Sequence, residues 1–310
     1  MKIVCLDAAT LGGDADLSEI ASLGEFESYE MTEPAQTAQR LAGADVVITN
    51  KVLITDEIMA QTALKLICVS ATGTNNIDMQ TAQTRGIAVK NVAGYSTNSV
   101  VQQTFASLFA LTNALGYYAD YGSSGKWCES EIFTHIDAPI SEIYGKEFGV
   151  IGLGQIGAKV ARIAAAFGAN VRYYSTSGAN DNGEFARVSL DALLRACDII
   201  SIHAPLNEKT AGLIGEAELA KMKEGAILMN FGRGGIVDED ALARAMDERG
   251  LRTALDVLQT EPMRADHPLL RVKNRRNVVI TPHIAWASVE ARKRLIKMIV
   301  QNIRDFMNGK

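Results

Sequence analysis

The chain has 310 residues, 47% hydrophobic and 22% charged, which at roughly 100–200 residues per unit suits two globular domains. Its net charge of −5 and pI near 5.5 exclude the basic face of a phosphate-backbone binder, so no nucleic-acid partner is expected. No apolar run approaches the ~18 residues of a membrane span, no cleavable leader is seen, and Cys5, Cys68, Cys128 and Cys197 lack metal or disulfide spacing, so reduced thiols in a cytoplasmic protein without metal or membrane are expected.

Strands are expected at Ile3–Leu6, Phe26–Tyr29, Ala44–Thr49, Leu64–Ser70 and Ile87–Lys90. Helices are expected between them at Asp16–Leu23, at Pro34–Leu41 capped by Thr32, at Asp56–Thr62 behind Thr55, and at Asp78–Arg85. The continuous apolar run Leu64–Ser70 suits a parallel strand covered on both faces. One long helix is expected from Ser96 to about Ala119, followed by a polar, glycine-containing stretch, Gly122–Lys146. A second series has strands at Phe148–Gly152, Asn170–Tyr174, Asp198–His203, Ala226–Asn230, Thr253–Asp256 and Val278–Thr281, and a helix at Val289–Phe306 closes it. Such alternation predicts an α/β fold: two doubly wound parallel-sheet domains of Rossmann or flavodoxin type, with a cleft between them.

Gly152-Leu153-Gly154-Gln155-Ile156-Gly157 is a G-x-G-x-x-G run between a strand and a helix, the setting in which it binds a dinucleotide. Gly152 permits the tight turn, Gly154 lets the backbone approach a pyrophosphate, and Gly157 allows close helix–sheet packing. The acidic residue expected about 20 positions on is replaced by Ser175. That serine removes the repulsion of a 2′-phosphate, yet no Lys or Arg lies between Tyr173 and Ala186, so NAD and NADP both remain candidates.

Three further segments follow strands: Asn230–Gly235 with Arg233, Asp256–Pro262 with Glu261, and Thr281–Trp286 with His283. Hydride transfer to a 2-oxo acid needs a carboxylate clamp and a proton for the carbonyl oxygen. Arg supplies the first as a bidentate pair and His the second near neutral pH, with a carboxylate to orient it.

With these residues and Ala71–Asp78, Gly94–Thr97, His203-Ala204-Pro205-Leu206, Glu261-Pro262 and Pro282-His283 in order, nearly the whole chain resembles the D-2-hydroxyacid dehydrogenases, and most closely the hydroxypyruvate reductase/glycerate dehydrogenase branch. The resemblance implies His283 as acid/base, Glu261 as its partner, and Arg233 as the group on the substrate carboxylate. It implies substrate contacts from Asn50, Lys51, Gly73 and Thr74. Cofactor contacts would come from Gly152, Gly154, Gln155, Ile156, Gly157, Ser175, His203, Ala204, Pro205, Phe231, Gly232 and Ala285, with Thr104 near a phosphate and Asp256 accepting from the carboxamide. It also implies a substrate-binding domain of 1–97 plus 287–310, an NAD(P)-binding domain of 98–286, and a homodimer in which Gly122–Lys146 wraps the partner.

Read individually, His203 shapes a strand end, His267 sits in a structural turn and His135 has no visible partner. Trp286 is a candidate cleft wall, and Arg271, Lys273, Arg275 and Arg276 form a solvated loop. Formate dehydrogenases carry Gln where this chain has Glu261, and a phosphoglycerate dehydrogenase with a regulatory extension would need residues beyond the closing helix. A phosphonate dehydrogenase shares the three catalytic types. A nucleotide-sensing, corepressor-like binding protein is the alternative from another functional class.

Overall fold

The computed structural model describes residues 1–179 and 183–309. They form two compact units, 1–96 with 286–310, and 97–285. The first contains β1 (Lys2–Cys5), α1 (Ser18–Ala21), β2 (Glu25–Ser28), α2 (Thr37–Arg40), β3 (Val46–Thr49), α3 (Asp56–Ala60), β4 (Leu66–Val69), α4 (Met79–Thr84) and β5 (Ala88–Lys90). The second contains α5 (Thr97–Thr112), α6 (Leu115–Ser123), β6 (Glu147–Ile151), α7 (Gln155–Ala166), β7 (Asn170–Tyr174), β8 (Ala186–Arg187), α8 (Leu190–Ala196), β9 (Ile199–Ile202), α9 (Glu216–Leu219), β10 (Ile227–Asn230), α10 (Glu239–Arg249), β11 (Arg252–Leu255) and β12 (Val278–Ile280). The closing helix α11 (Val289–Met307) belongs to the first unit.

Both sheets are wholly parallel. The first runs β2-β1-β3-β4-β5 and the second β12-β11-β10-β9-β6-β7-β8, the flavodoxin and Rossmann orders respectively. Successive side chains of a strand face opposite ways, so a sheet covered on both sides needs an apolar residue at every position. β4 satisfies this, as does β3 up to its last residue, Thr49, and every residue of both strands is buried. Ile3, Val46, Ile48 and Leu66 pack with Leu295, Ile299 and Ile303 of α11. Val4, Val47, Ile67 and Val69 fill the other core with Leu41, Met59 and Ala82. Side chains of Asp78, Ser189, Asp238 and Ser288 accept main-chain N–H groups at the starts of α4, α8, α10 and α11, satisfying donors that a helix leaves unpaired.

Three local expectations fail. The single helix over 96–119 is two, because Ala114 takes a left-handed conformation (φ 47°) between α5 and α6. The Pro34 helix begins as a 3-10 turn capped by Glu33, while Thr32 donates its hydroxyl to Leu6 O instead. β8 was not expected at all; it has two exposed residues at a sheet edge, too few for a periodic signal.

Candidate active site

The second sheet's order reverses between β6 and β9, and open parallel sheets bind ligands at the carboxyl ends of the strands flanking such a point. Gly152 leaves β6 at φ +91°, and a Cβ there would stand 3.0 Å from Ala204 Cα on the loop after β9. A Cβ on Gly157 would stand 2.1 Å from Gly152 O, so only glycine lets α7 start against the turn. Gly154 is the residue before α7, and the space its Cβ would occupy is open. Gln155 and Ile156 follow in the first helical turn, where N–H groups have no intrahelical acceptor. Crowding at 152 and 157 with free space at 154 is what a pyrophosphate cradle requires, and these residues fit a dinucleotide.

The loops after β10, β11 and β12 are tied to one another. His283 Nδ1 lies 2.7 Å from Glu261 Oε2, and the other Glu261 oxygen accepts Leu258 N–H at 3.0 Å. With Nδ1 committed to a carboxylate, Nε2 is the ring nitrogen that this contact leaves unengaged. His283 sits at φ 53°, a left-handed conformation uncommon outside glycine. Its N–H is held by Asp256 O and Thr281 O, both at 2.9 Å. The side chains of the pair are about 30% exposed (29% and 31%), open enough to meet a ligand. Arg233 stands in a turn clamped by Asn230, whose side chain accepts Gly232 N–H (3.0 Å) and donates to Arg233 O (2.8 Å). That turn presses on the Glu261 loop, because a Cβ on Gly234 would lie 1.8 Å from Leu258 O.

In the first unit the Asn50–Val52 loop is built around the buried carboxylate of Asp7. It accepts N–H groups of Asn50 (2.9 Å), Lys51 (2.7 Å) and Val52 (3.3 Å). Asn76 donates to Val52 O at 3.1 Å, joining this loop to the Gly73–Asn76 loop. Lys51 is exposed, and Gly73 and Thr74 are partly exposed.

A family model described as the D-isomer specific 2-hydroxyacid dehydrogenase, NAD binding domain, matches residues 105–285. The chain belongs to the D-2-hydroxyacid dehydrogenase family. It is 37% identical to a hydroxypyruvate reductase from Blautia hydrogenotrophica, covering 100% of this chain and 98% of the relative. It is 37% identical to a glycerate dehydrogenase from Methylorubrum extorquens, covering 100% and 97%. Among solved structures, an acyclic imino acid reductase in complex with NADPH and D-Arg superposes with a TM-score of 0.86 at 30% identity, covering 100% of this chain and 98% of that one. The protein is thus an NAD(P)-dependent oxidoreductase of the 2-hydroxyacid dehydrogenase type.

The other cofactor-site candidates of the dehydrogenase have defined surroundings. Thr104 is fully buried in α5 with its hydroxyl donated to Val100 O (2.8 Å). Asp256 is committed to the His283 loop: its carboxylate accepts Thr281 Oγ1–H and the N–H groups of Ile284 and Ala285 (both 2.9 Å), three of about four lone-pair positions. Ala285 is buried, with its N–H on Asp256 and its carbonyl accepting from Ser99 (2.6 Å), so it anchors the loop. Phe231 and Ala204 are buried, Gly232 packs against Ala204 O, and Pro205 is exposed.

His203 does shape a strand end: Nε2 meets Ser201 Oγ at 2.8 Å. Burial pushes this imidazole down to about 3, so it exchanges no proton near neutral pH. His135 has partners after all, Tyr117 Oη at 2.7 Å and the stacked ring of Tyr121 at 3.8 Å. Arg276 lies over the Tyr117 ring, 4.2 Å from its centroid, and Arg275 donates to Leu269 O, so the basic loop is partly docked. Trp286 packs on the first unit's core, edge-on to Tyr95. His267 pairs with Glu239 (2.8 Å), whose other oxygen accepts Gln259 N–H on the Glu261 loop. Asp7, Asn230, Thr281 and Glu239 were missed as loop builders; the sequence signal for the first three was a polar residue at or beside a strand end, and Glu239 is one of two acidic residues in the first turn of α10.

Proposed function

We propose that the protein reduces a short 2-oxo acid of the hydroxypyruvate or glyoxylate type to the D-2-hydroxy acid. The observation that carries this reading is the His283–Glu261 contact at 2.7 Å on loops braced by Asp256 and Gly234. The bound nicotinamide supplies the hydride. His283 Nε2 delivers the proton to the carbonyl oxygen, and Glu261 holds the ring so that Nδ1–H stays on the carboxylate. Arg233 binds the substrate carboxylate through its guanidinium fork. Phe231 and Gly232 border the nicotinamide, and Asn50, Lys51, Gly73 and Thr74 select the substrate. The 1–96/286–310 unit is the substrate-binding domain and 97–285 the cofactor domain.

The same reading makes the protein a cytoplasmic homodimer. Three of its four cysteines are buried free thiols, compatible with a reducing compartment. Among the described residues no helix is long and apolar enough to cross a membrane. The 127–144 segment exposes Trp127, Ile132, Phe133, Ile136, Ile140 and Tyr144, with Phe133 at 88%. An apolar surface of that extent needs a cover.

The test is the rate of cofactor oxidation with hydroxypyruvate, glyoxylate and pyruvate, using NADH and NADPH in parallel. Turnover of a 2-oxo acid, lost in a His283 variant, is expected. Tight nucleotide binding without turnover of any 2-oxo acid would favour a sensing protein instead. Light scattering should give twice the chain mass, falling to one chain on Phe133→Glu with Ile136→Glu.

A further inference from the structure

In the doubly wound fold the strand after the glycine turn ends beside the adenosine ribose. An acidic side chain there binds the ribose hydroxyls and repels a 2′-phosphate. Here β7 runs into Ser175-Thr176-Ser177-Gly178. Ser175 is 5% exposed, and its carbonyl accepts Gly178 N–H at 3.3 Å, closing a tight turn with Gly178 at φ +76°. Ser177 Oγ accepts Ala179 N–H at 3.2 Å. The turn therefore offers hydroxyls and no carboxylate.

The cation that the sequence window lacked comes from the next strand. β8 lies parallel to β7 with Arg187 opposite Tyr173, two residues before Ser175. Both β8 residues are exposed, and the Arg187 side chain runs forward along the turn: a Cβ on Gly178 would stand 3.9 Å from Arg187 Nη2. Glu184, the acidic residue nearest to Arg187 in sequence, is held by Arg162 through contacts of 2.8 to 3.0 Å. Asp181 lies outside the described residues. A guanidinium at a turn that carries serine and threonine, at the end of this strand, is a phosphate-binding chemistry.

We propose that Arg187, with the hydroxyls of Thr176 and Ser177, forms a 2′-phosphate site that makes the dehydrogenase prefer NADPH over NADH. This rests on the dinucleotide reading of Gly152–Gly157. Arg187 acts as a specificity residue: it touches the adenosine end of the cofactor and leaves the hydride and proton chemistry alone.

The experiment is a fluorescence titration of the full-length protein with NADPH and NADH, backed by calorimetry with adenosine 2′,5′-bisphosphate and 5′-AMP, which carry no nicotinamide. Wild-type protein should bind NADPH about tenfold or more tighter than NADH, and Arg187→Gln should bring the two within about twofold by weakening NADPH alone. Ser175→Asp should reverse the preference through repulsion of the 2′-phosphate, so the proposal stays testable if the arginine variant folds poorly. The bisphosphate should follow NADPH across the variants and 5′-AMP should follow NADH. Equal or tighter NADH binding by the wild type, or an equal loss of both nucleotides on Arg187→Gln, overturns the proposal while the dinucleotide site stands. Failure of the wild type to bind either nucleotide overturns both.

Discussion

A Cβ on Gly234 would stand 1.8 Å from the carbonyl oxygen of Leu258. That distance links two parts of the candidate site that the chain keeps apart, since Gly234 follows Arg233 directly and Leu258 donates its N–H to Glu261. The contact is backbone on one side, so no rotamer change relieves it. Gly234→Ala must push the Arg233 turn away from the Glu261 loop. The expected outcome is a loss of about 1–3 kcal/mol of stability from overpacking. A fall in kcat/KM of about 10²-fold should accompany it, as for a displacement near 1 Å of a positioning group. Urea unfolding and steady-state kinetics measure the two. Unchanged kinetics would mean that the contact does not set the place of Arg233.

Asp256 is the second point at which the site is held. Its carboxylate receives three donors, Thr281 Oγ1–H and the N–H groups of Ile284 and Ala285. Asp256→Asn keeps the shape and replaces one acceptor oxygen by an NH2 group that faces donors. A buried donor left without an acceptor costs about 1–3 kcal/mol, so the midpoint of unfolding should fall accordingly. Because the bonds lost are those that hold His283 in place, kcat should fall more than KM rises. A rise in KM for the nucleotide with kcat intact would instead assign Asp256 to cofactor binding.

The fold was legible because its signals repeat. Alternation of apolar strands with helices, the Gly152–Gly157 run and the loops after β10, β11 and β12 each carry local patterns, and both sheet orders agree with them. What escaped depends on contacts distant in sequence. Asp7 lies more than 40 residues from the loop it organises, and Glu239 lies 20 from Gln259. Nothing near either residue distinguishes it from a solvated carboxylate. Arg187 was missed because two exposed residues cannot announce a strand, and only the pairing with β7 brings it to the Ser175 turn. Thr104, which the family resemblance placed near a cofactor phosphate, is turned inward by α5 onto Val100 O.

Stability should depend on pH through His203. Burial holds its imidazole down to about 3 in the folded state, against about 6.5 in an unfolded chain. Between these values the unfolded chain binds a proton that the folded chain refuses. Stability therefore falls as pH drops below about 6.5 and continues to fall towards 3, with no contribution above that window. At about pH 5 the loss amounts to at most about 2 kcal/mol. Urea unfolding near pH 7.5 and near pH 5 should show wild type losing about 1–2 kcal/mol more than His203→Gln across that interval. Equal losses would mean that the imidazole titrates alike in both states.

In the proposed reaction His283 is the proton donor, and it also occupies a left-handed backbone position; two substitutions separate these roles. Asn is among the residues that tolerate positive φ, whereas Ala there carries a penalty of about 1–2 kcal/mol. Neither can donate a proton as an imidazolium does. Both His283→Asn and His283→Ala should therefore lose kcat by about 10²–10⁴-fold, the range for a general acid. Only His283→Ala should in addition lose about 1 kcal/mol of stability relative to His283→Asn. Nucleotide affinity should stay near wild type in His283→Asn, because Asp256 still secures Ile284 and Ala285. An Asn variant with near-native turnover would remove His283 from the chemistry, and equal stability of the two variants would mean that φ 53° stores no strain at this position.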